Sequence, residues 1–228
     1  MATIFVNPTQ FNDPADLERY PHTEDEDIAK LEAAGCGLVW MPPVTDIYPQ
    51  GFATTVSVSG ISDRWEGEHR PGHFNGVATV VAKLLIAAMP DVAIFGEKDF
   101  QQLAVIRRMV TDLGLPVEVV GHPTVREADG LAMSSRNALL SAEERGRAPK
   151  LFEVLSEAVR SIASGVAVDA AVSEAAATIA GAGFGPVDYL AYVDGDTLEP
   201  LNAQRQGARL IAAAHLGNVR LIDNVRVD

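Results

Sequence analysis

Apolar and polar positions along the chain divide it into two stretches of different character. In the first, short apolar runs alternate with segments whose apolar residues recur every three or four positions. Residues Ala2 to Val6, Leu38 to Met41, Val92 to Phe95 and Val117 to Val120 read as buried strands. Between them, Thr23 to Glu26 has the capping-box pattern of a helix start, with Ile28 and Leu31 turned inward and a stop at Gly35. A second helix is expected from Val77 to Met89. A third opens at Asp99 with Leu103, Ile106 and Val110 on its apolar side. Thr54 to Val58 alternates weakly, as a short edge strand would, and Gly67 to Gly76 is irregular. Strands alternating with helices predict an α/β fold with a doubly wound parallel sheet.

The pattern changes near Asn137. Ser141 to Glu144 is a second capping box, opening a helix through about Ile162, and alanine-rich sequence from Val168 to Ala180 predicts another. Strands follow at Val187 to Val193, Arg209 to His215 and Val219 to Asp223, with Gly217-Asn218 as a hairpin turn. Helices followed by strands predict a smaller α+β domain. The expected division is residues 1–137 and 138–228.

Composition narrows the function classes. With 47% hydrophobic and 21% charged residues, the chain is globular rather than disordered. Its net charge of −13 and lack of a basic stripe argue against nucleic acid as a partner. An anionic ligand would need a local pocket of positive charge set against that field. The single cysteine, Cys36, excludes an intramolecular disulfide and suits a reducing compartment. The most apolar run, Val77 to Met89, is interrupted by Lys83, closed by Pro90 and too short for a bilayer. The first residues lack a signal peptide's basic region. A soluble, cytoplasmic protein without a membrane partner is expected.

The candidate chemistry centres on V-A-I-F-G-E-K-D-F-Q-Q, Val92 to Gln102. Gly96 ends a strand, and Lys98 lies in the turn before a helix N-terminus, where unpaired N–H groups and the helix dipole favour an anion. Asp99 with Gln102 is equally an ordinary capping arrangement, and the stretch alone does not decide between the two. Arg70 and His73 precede another helix, and Ser134, Ser135 and Arg136 place two hydroxyls and a guanidinium in one loop. Gln10 follows the first strand at the edge where open α/β sheets bind ligands. The acidic run Glu24 to Asp27 could hold a metal, although a solvated helix start explains it more simply.

Four collinear stretches, I-F-V-N-P-T-Q-F (Ile4 to Phe11), R-P-G-H-F-N-G-V (Arg70 to Val77), G-E-K-D-F-Q-Q (Gly96 to Gln102) and V-R-E-A-D-G-L-A-M-S-S-R-N (Val125 to Asn137), together resemble the pantothenate synthetase family. R-L-I-D-N, Arg220 to Asn224, also fits. The resemblance covers essentially the whole chain and implies a Rossmann-like nucleotidyltransferase fold. It also implies condensation of pantoate with β-alanine, using ATP and Mg²⁺, through a pantoyl adenylate. It carries ATP contacts onto Gly96, Glu97, Lys98, Asp99, Val125, Met133, Ser134, Ser135 and Arg136. Pantoate contacts fall on Gln10 and Gln102, with Gln10 also near β-alanine, and polyphosphate contacts on Arg70 and His73. A homodimer is implied as well. In that family a histidine-rich H-x-G-H motif precedes the I-F-V-N-P strand, and it has no counterpart in this sequence. The expectation is therefore that Met1 is an internal or misassigned start, and that the 228-residue form is poorly soluble and weakly active. A catalytically impaired remnant, or an adenylating ligase for another small acid, are the rival readings.

Overall fold

The computed structural model describes residues 1–11, 17, 18, 20 and 23–227. Strand β1 (Ala2–Thr3) pairs in parallel with β2 (Val39–Trp40). Helix α1 (Glu24–Ala33) lies between them in sequence, and two short helical segments follow β2, α2 (Val44–Ile47) and α3 (Glu66–His69). Helix α4 (His73–Ala88) leads to β3 (Val92–Gly96), and α5 (Phe100–Asp112) leads to β4 (Glu118–His122). β3 and β4 pair in parallel, with Val92 beside Glu118 and Gly96 beside His122. Beyond a hairpin-like loop come α6 (Ala142–Arg147), α7 (Lys150–Ala163) and α8 (Val168–Gly181). An antiparallel sheet, in the order β5 (Val187–Val193), β6 (Arg209–Leu216) and β7 (Val219–Arg226), completes the described chain.

Three apolar clusters hold these elements. Val77, Ala82 and Leu85 of α4 and Val105, Ile106 and Met109 of α5 pack with Ala93 and Phe95 of β3, Val117 just before β4 and Val119 within it. The alternation of β3 is thus used on one face only. Ile94 on the other is 67% exposed. A second cluster buries the stripe Leu151, Leu155, Ala158 and Ile162 of α7 with Ala171 and Ile179 of α8 beneath Leu210, Ala212 and Leu221. The third, Phe100 and Ala104 with Ala191, Val193 and Ile211, joins α5 to the antiparallel sheet. That contact brings the N-terminal turn of α5 against the C-terminal strands.

Several elements differ from expectation for local reasons. Thr23 makes no side-chain cap to α1; its hydroxyl donates to the Asp27 carboxylate at 3.0 Å, so the expected capping box is absent. Ile28 is 36% exposed rather than inward, because α1 buries none of its residues. Thr54 to Val58 is not a strand: the Val56 N–H donates to the Thr79 hydroxyl of α4 instead of to a sheet neighbour. Helix α4 starts at His73, earlier than expected, from Gly72 at φ +82°, a left-handed geometry that glycine adopts without strain. The helix expected from Ser141 to Ile162 divides into α6 and α7 around Pro149, whose ring cannot continue the hydrogen-bond ladder. The Ser141–Glu144 capping box itself is formed in both directions.

Candidate active site

The parallel elements and the antiparallel sheet line an open cavity of about 1040 Å³. Gln10, Arg70, His73, Lys98, Asp99, Gln102, Met133, Ser134, Ser135 and Arg136 all line it. Residues that the sequence scatters over more than half the chain therefore meet on one surface. Gly96, Glu97 and Val125 are not on its wall. Gly96 pairs with His122, the Glu97 carboxylate turns to Arg209 at 2.7 Å, and the Val125 carbonyl accepts from the Met133 N–H at 3.0 Å.

Lys98 lies in a 3-10 turn, Glu97–Asp99, between β3 and α5. Asp99 precedes α5 without making a side-chain cap, which removes the ordinary capping explanation for this stretch. The adjacent glutamines divide their tasks. Gln101 is buried, accepts from the Glu66 N–H and donates to the carbonyls of Ile61 and Arg64, whereas Gln102 faces the cavity.

The opposite wall is the turn Pro8–Gln10. Asn7, buried, donates to the Gly76 carbonyl and to the Gln10 side-chain oxygen, each at 3.1 Å. Its own oxygen accepts from Tyr48 at 2.7 Å and from the Thr9 hydroxyl at 2.9 Å. Gly76 is required by this contact, since a Cβ there would lie 2.5 Å from the Thr9 carbonyl oxygen. The Gln10 carbonyl accepts from Arg70 Nη2 at 3.0 Å and from His73 Nδ1 at 2.9 Å. A carbonyl can only accept, so Nδ1 carries a proton there. Burial, then the Arg70 charge, holds the His73 pKa below its ordinary value, against the opposing pull of the Gln10 carbonyl, Glu66 and Asp99. The ring is neutral near pH 7, with its lone pair on Nε2.

The third element is the hairpin-like loop after β4. Asp129-Gly130 makes the turn, Arg126 bridges to Ala132, and Ser134 starts a 3-10 turn, Ser135–Leu139, by accepting from the Arg136 N–H at 3.2 Å. This exposes Ser135 while the Ser134 oxygen is already engaged by the backbone.

The floor contains charge that the sequence did not reveal. Glu66, buried, accepts from Arg220 at 2.8 and 2.7 Å, from Arg70 at 3.2 Å and from the Tyr189 hydroxyl at 3.1 Å. Arg220 also donates to Asp188 at 2.6 Å. Burial alone would raise the Glu66 pKa, but the bonded Arg220 and then Arg70 outweigh it and keep the carboxylate ionised. Burial, followed by the Glu66 charge, raises the Tyr189 phenol well above its usual range. Sequence reading also missed Arg126, Arg209, Asp223 and Asn224. For Asp223 and Asn224 the available signal was a pair of polar residues among the apolar positions of β7, within R-L-I-D-N; Arg126 and Arg209 had none. Among the described residues, no helix is long and apolar enough to cross a membrane.

The family model described as pantoate-beta-alanine ligase matches residues 1–226. The pantothenate synthetase of Rhizorhabdus wittichii is 56% identical over 228 residues, 100% of this chain and 81% of that protein. That of Rhodospirillum rubrum is 53% identical over 100% of this chain and 81% of its own. Among solved structures, the pantothenate synthetase of Thermus thermophilus is similar with a TM-score of 0.95 at 49% identity, covering 99% of this chain and 82% of that one. The pantoate-beta-alanine ligase of Francisella tularensis, complexed with beta-gamma ATP and β-alanine, has a TM-score of 0.78 at 33% identity, over 98% of this chain and 77% of its own.

Proposed function

The chain belongs to the pantoate–β-alanine ligase family, and from that premise we propose that it condenses pantoate with β-alanine in an ATP-dependent reaction through a pantoyl adenylate. The observation that carries this reading to the site is the convergence of three elements on one cavity: the Lys98 turn, the Ser134–Arg136 loop and the amides of Gln10 and Gln102.

The first step joins a pantoate carboxylate oxygen to the α-phosphorus and releases pyrophosphate. A carboxylate is already ionised at neutral pH, so this step needs no base. Its difficulty is repulsion between two anions. Lys98 and Arg136 supply fixed positive charge for the phosphate oxygens, and the Ser135 hydroxyl and loop backbone supply donors, with Ser134 shaping that loop. Glu97 and Val125 contribute to nucleotide binding through the backbone that carries the turn and the hairpin. Magnesium enters as part of the nucleotide substrate, as suits an ion that keeps several waters and is held through phosphates plus one or two carboxylates. Asp99, on the wall beside Lys98, is the carboxylate we assign to it.

Gln10 and Gln102 both donate and accept without adding charge, which suits pantoate's hydroxyl and carboxylate groups. Arg70 and His73 already donate to the Gln10 carbonyl, so we place their main effect at the pantoate end, through that turn. In the second step the neutral amine of β-alanine attacks the acyl carbon and AMP leaves, a reaction governed by orientation. In this reading residues 1–137 supply most of the site and residues 138–228 complete its floor, and the protein acts as a cytoplasmic homodimer.

Pantoate-dependent exchange of labelled pyrophosphate into ATP, followed by pantothenate formation when β-alanine is added, tests the proposal. Both are expected. Exchange driven by a different small acid and not by pantoate would support the rival ligase reading, and no exchange with any acid would support the impaired remnant.

A further inference from the structure

We propose that Asp223 and Asn224, adjacent on β7, are positioning residues that set the Lys98 turn and the Met133–Arg136 loop at the separation adenylate formation requires. The proposal rests on the adenylation reading above. Asn224 is buried and spends both amide hydrogens on the Lys98 turn, donating to the Glu97 carbonyl at 2.8 Å and to the Lys98 carbonyl at 3.1 Å. Its side-chain oxygen accepts from Arg209 at 2.6 Å. That partner fixes the orientation, because a flipped amide would set its NH₂ against a guanidinium that can only donate. Arg209 also pairs with Glu97 at 2.7 Å and lies 4.0 Å from the centre of the Phe100 ring, so it fixes both ends of the same turn.

The neighbouring residue addresses the other phosphate-binding element. Asp223 accepts from both guanidinium ends of Arg126, at 2.7 and 2.9 Å. Arg126 stacks on Phe152 at 3.6 Å and donates to the Gly130 carbonyl at 3.0 Å, which braces the hairpin from within. Its bridge partner, Ala132, directly precedes Met133. Successive strand residues project to opposite faces, and these two side chains accordingly reach different elements. The two anchors are one peptide unit apart, so covalent geometry limits how far the turn and the loop can separate. Loops held only at their own ends would not keep Lys98 and Arg136 in fixed register. A displacement near 1 Å is enough to cost about 100-fold in rate.

The test is a double-mutant cycle on pantoate-dependent pyrophosphate exchange, with hydrogen exchange measured on the same proteins. Asn224→Asp keeps the shape and the acceptor for Arg209 but cannot donate to the turn; Asn224→Ala removes the side chain. Each should lower exchange turnover by about 10- to 100-fold while the pantoate KM changes by less than about threefold. In a Lys98→Ala background the same replacements should lower turnover by less than about threefold, since a residue acting through Lys98 has nothing left to position. Asp223→Asn should show the same non-additivity with Arg136→Ala. Amides of the Glu97–Asp99 turn should exchange faster in Asn224→Asp. Equal losses in both backgrounds, unchanged turnover or unchanged amide exchange would overturn the inference. If Asn224→Ala does not fold, Asn224→Asp decides. If the wild-type protein shows no pantoate-dependent exchange, the adenylation reading fails, and amide exchange alone then decides whether Asn224 holds the turn.

Discussion

Lys98 and the two cavity glutamines carry the sharpest expectations at the scale of single residues. In the proposed reaction Lys98, on the cavity wall, faces the charge that accumulates as carboxylate and triphosphate meet, so Lys98→Ala should lower the turnover of adenylate formation by about 10²-fold or more. Rapid-quench measurement of adenylate checks this, and a near-normal rate would remove Lys98 from the transition state. Gln10 and Gln102 line the same cavity, and the proposed reaction assigns them to the pantoate end. Replacing either with alanine should raise the pantoate KM while ATP affinity, measured by calorimetry, stays within about threefold, because an uncharged hydrogen-bond partner is lost only at the acid. Gln10 was legible as a candidate from its place just after the first strand, and Gln102 only through the family resemblance; both line the cavity. Glu66 was not legible. Its partner Arg220 is 154 positions away, and nothing near either residue signals the other.

Helix α4 shows how an element positions residues it does not contain. Its first turn carries His73, and its open side at Gly76 receives the backbone of Thr9 and Gln10. Gly76→Ala would force the Pro8–Gln10 turn away from the helix, because a Cβ 2.5 Å from a carbonyl oxygen cannot be accommodated in place. The expected result is a loss of about 1–3 kcal/mol in stability, the scale of overpacking, together with a raised pantoate KM. Urea denaturation and steady-state kinetics measure the two. A stability loss with unchanged pantoate KM would show that the turn is not held by the helix. The sequence made the helix legible through its apolar spacing but placed its start at Val77 rather than His73, since Gly67 to Gly76 has no such spacing. Only Gly72 in the left-handed region and the packing of Phe74 extend it back to His73.

Across the whole molecule, buried ionisable groups make stability depend on pH in a definite direction. His73 has a depressed pKa, so as pH falls below its ordinary 6.5 the unfolded chain takes up a proton before the folded one does. Stability is fully present above that pH and declines below it. Glu66 adds a second decline below its ordinary 4.5, where the unfolded carboxylate is protonated while Arg220 and Arg70 keep the folded one ionised. The urea midpoint should therefore be flat from about pH 8 to about 6.5 and fall in two stages. His73→Gln should abolish the first stage and leave the second. A first stage that persists in that variant would assign it to another group.

What the sequence by itself determined was local: the Asp129-Gly130 turn, the Ser141–Glu144 capping box, the apolar stripe of α5 and the strand–glycine–lysine order around Lys98. Each is decided by hydrogen bonds or periodicity within a few residues, and so is written in consecutive positions. Tertiary structure decided which of these patterns found a partner. Ile28 and Ile94 have the spacing of inward residues, yet the described fold leaves both exposed, because periodicity specifies a face and not what covers it. The adjoining Asp223 and Asn224 read as two polar residues in a strand. Only the fold sets them against Arg126 and, 126 positions away, against the carbonyl of Lys98. A buried polar group must be paired, but its partner is chosen by proximity in space, which no local sequence pattern encodes.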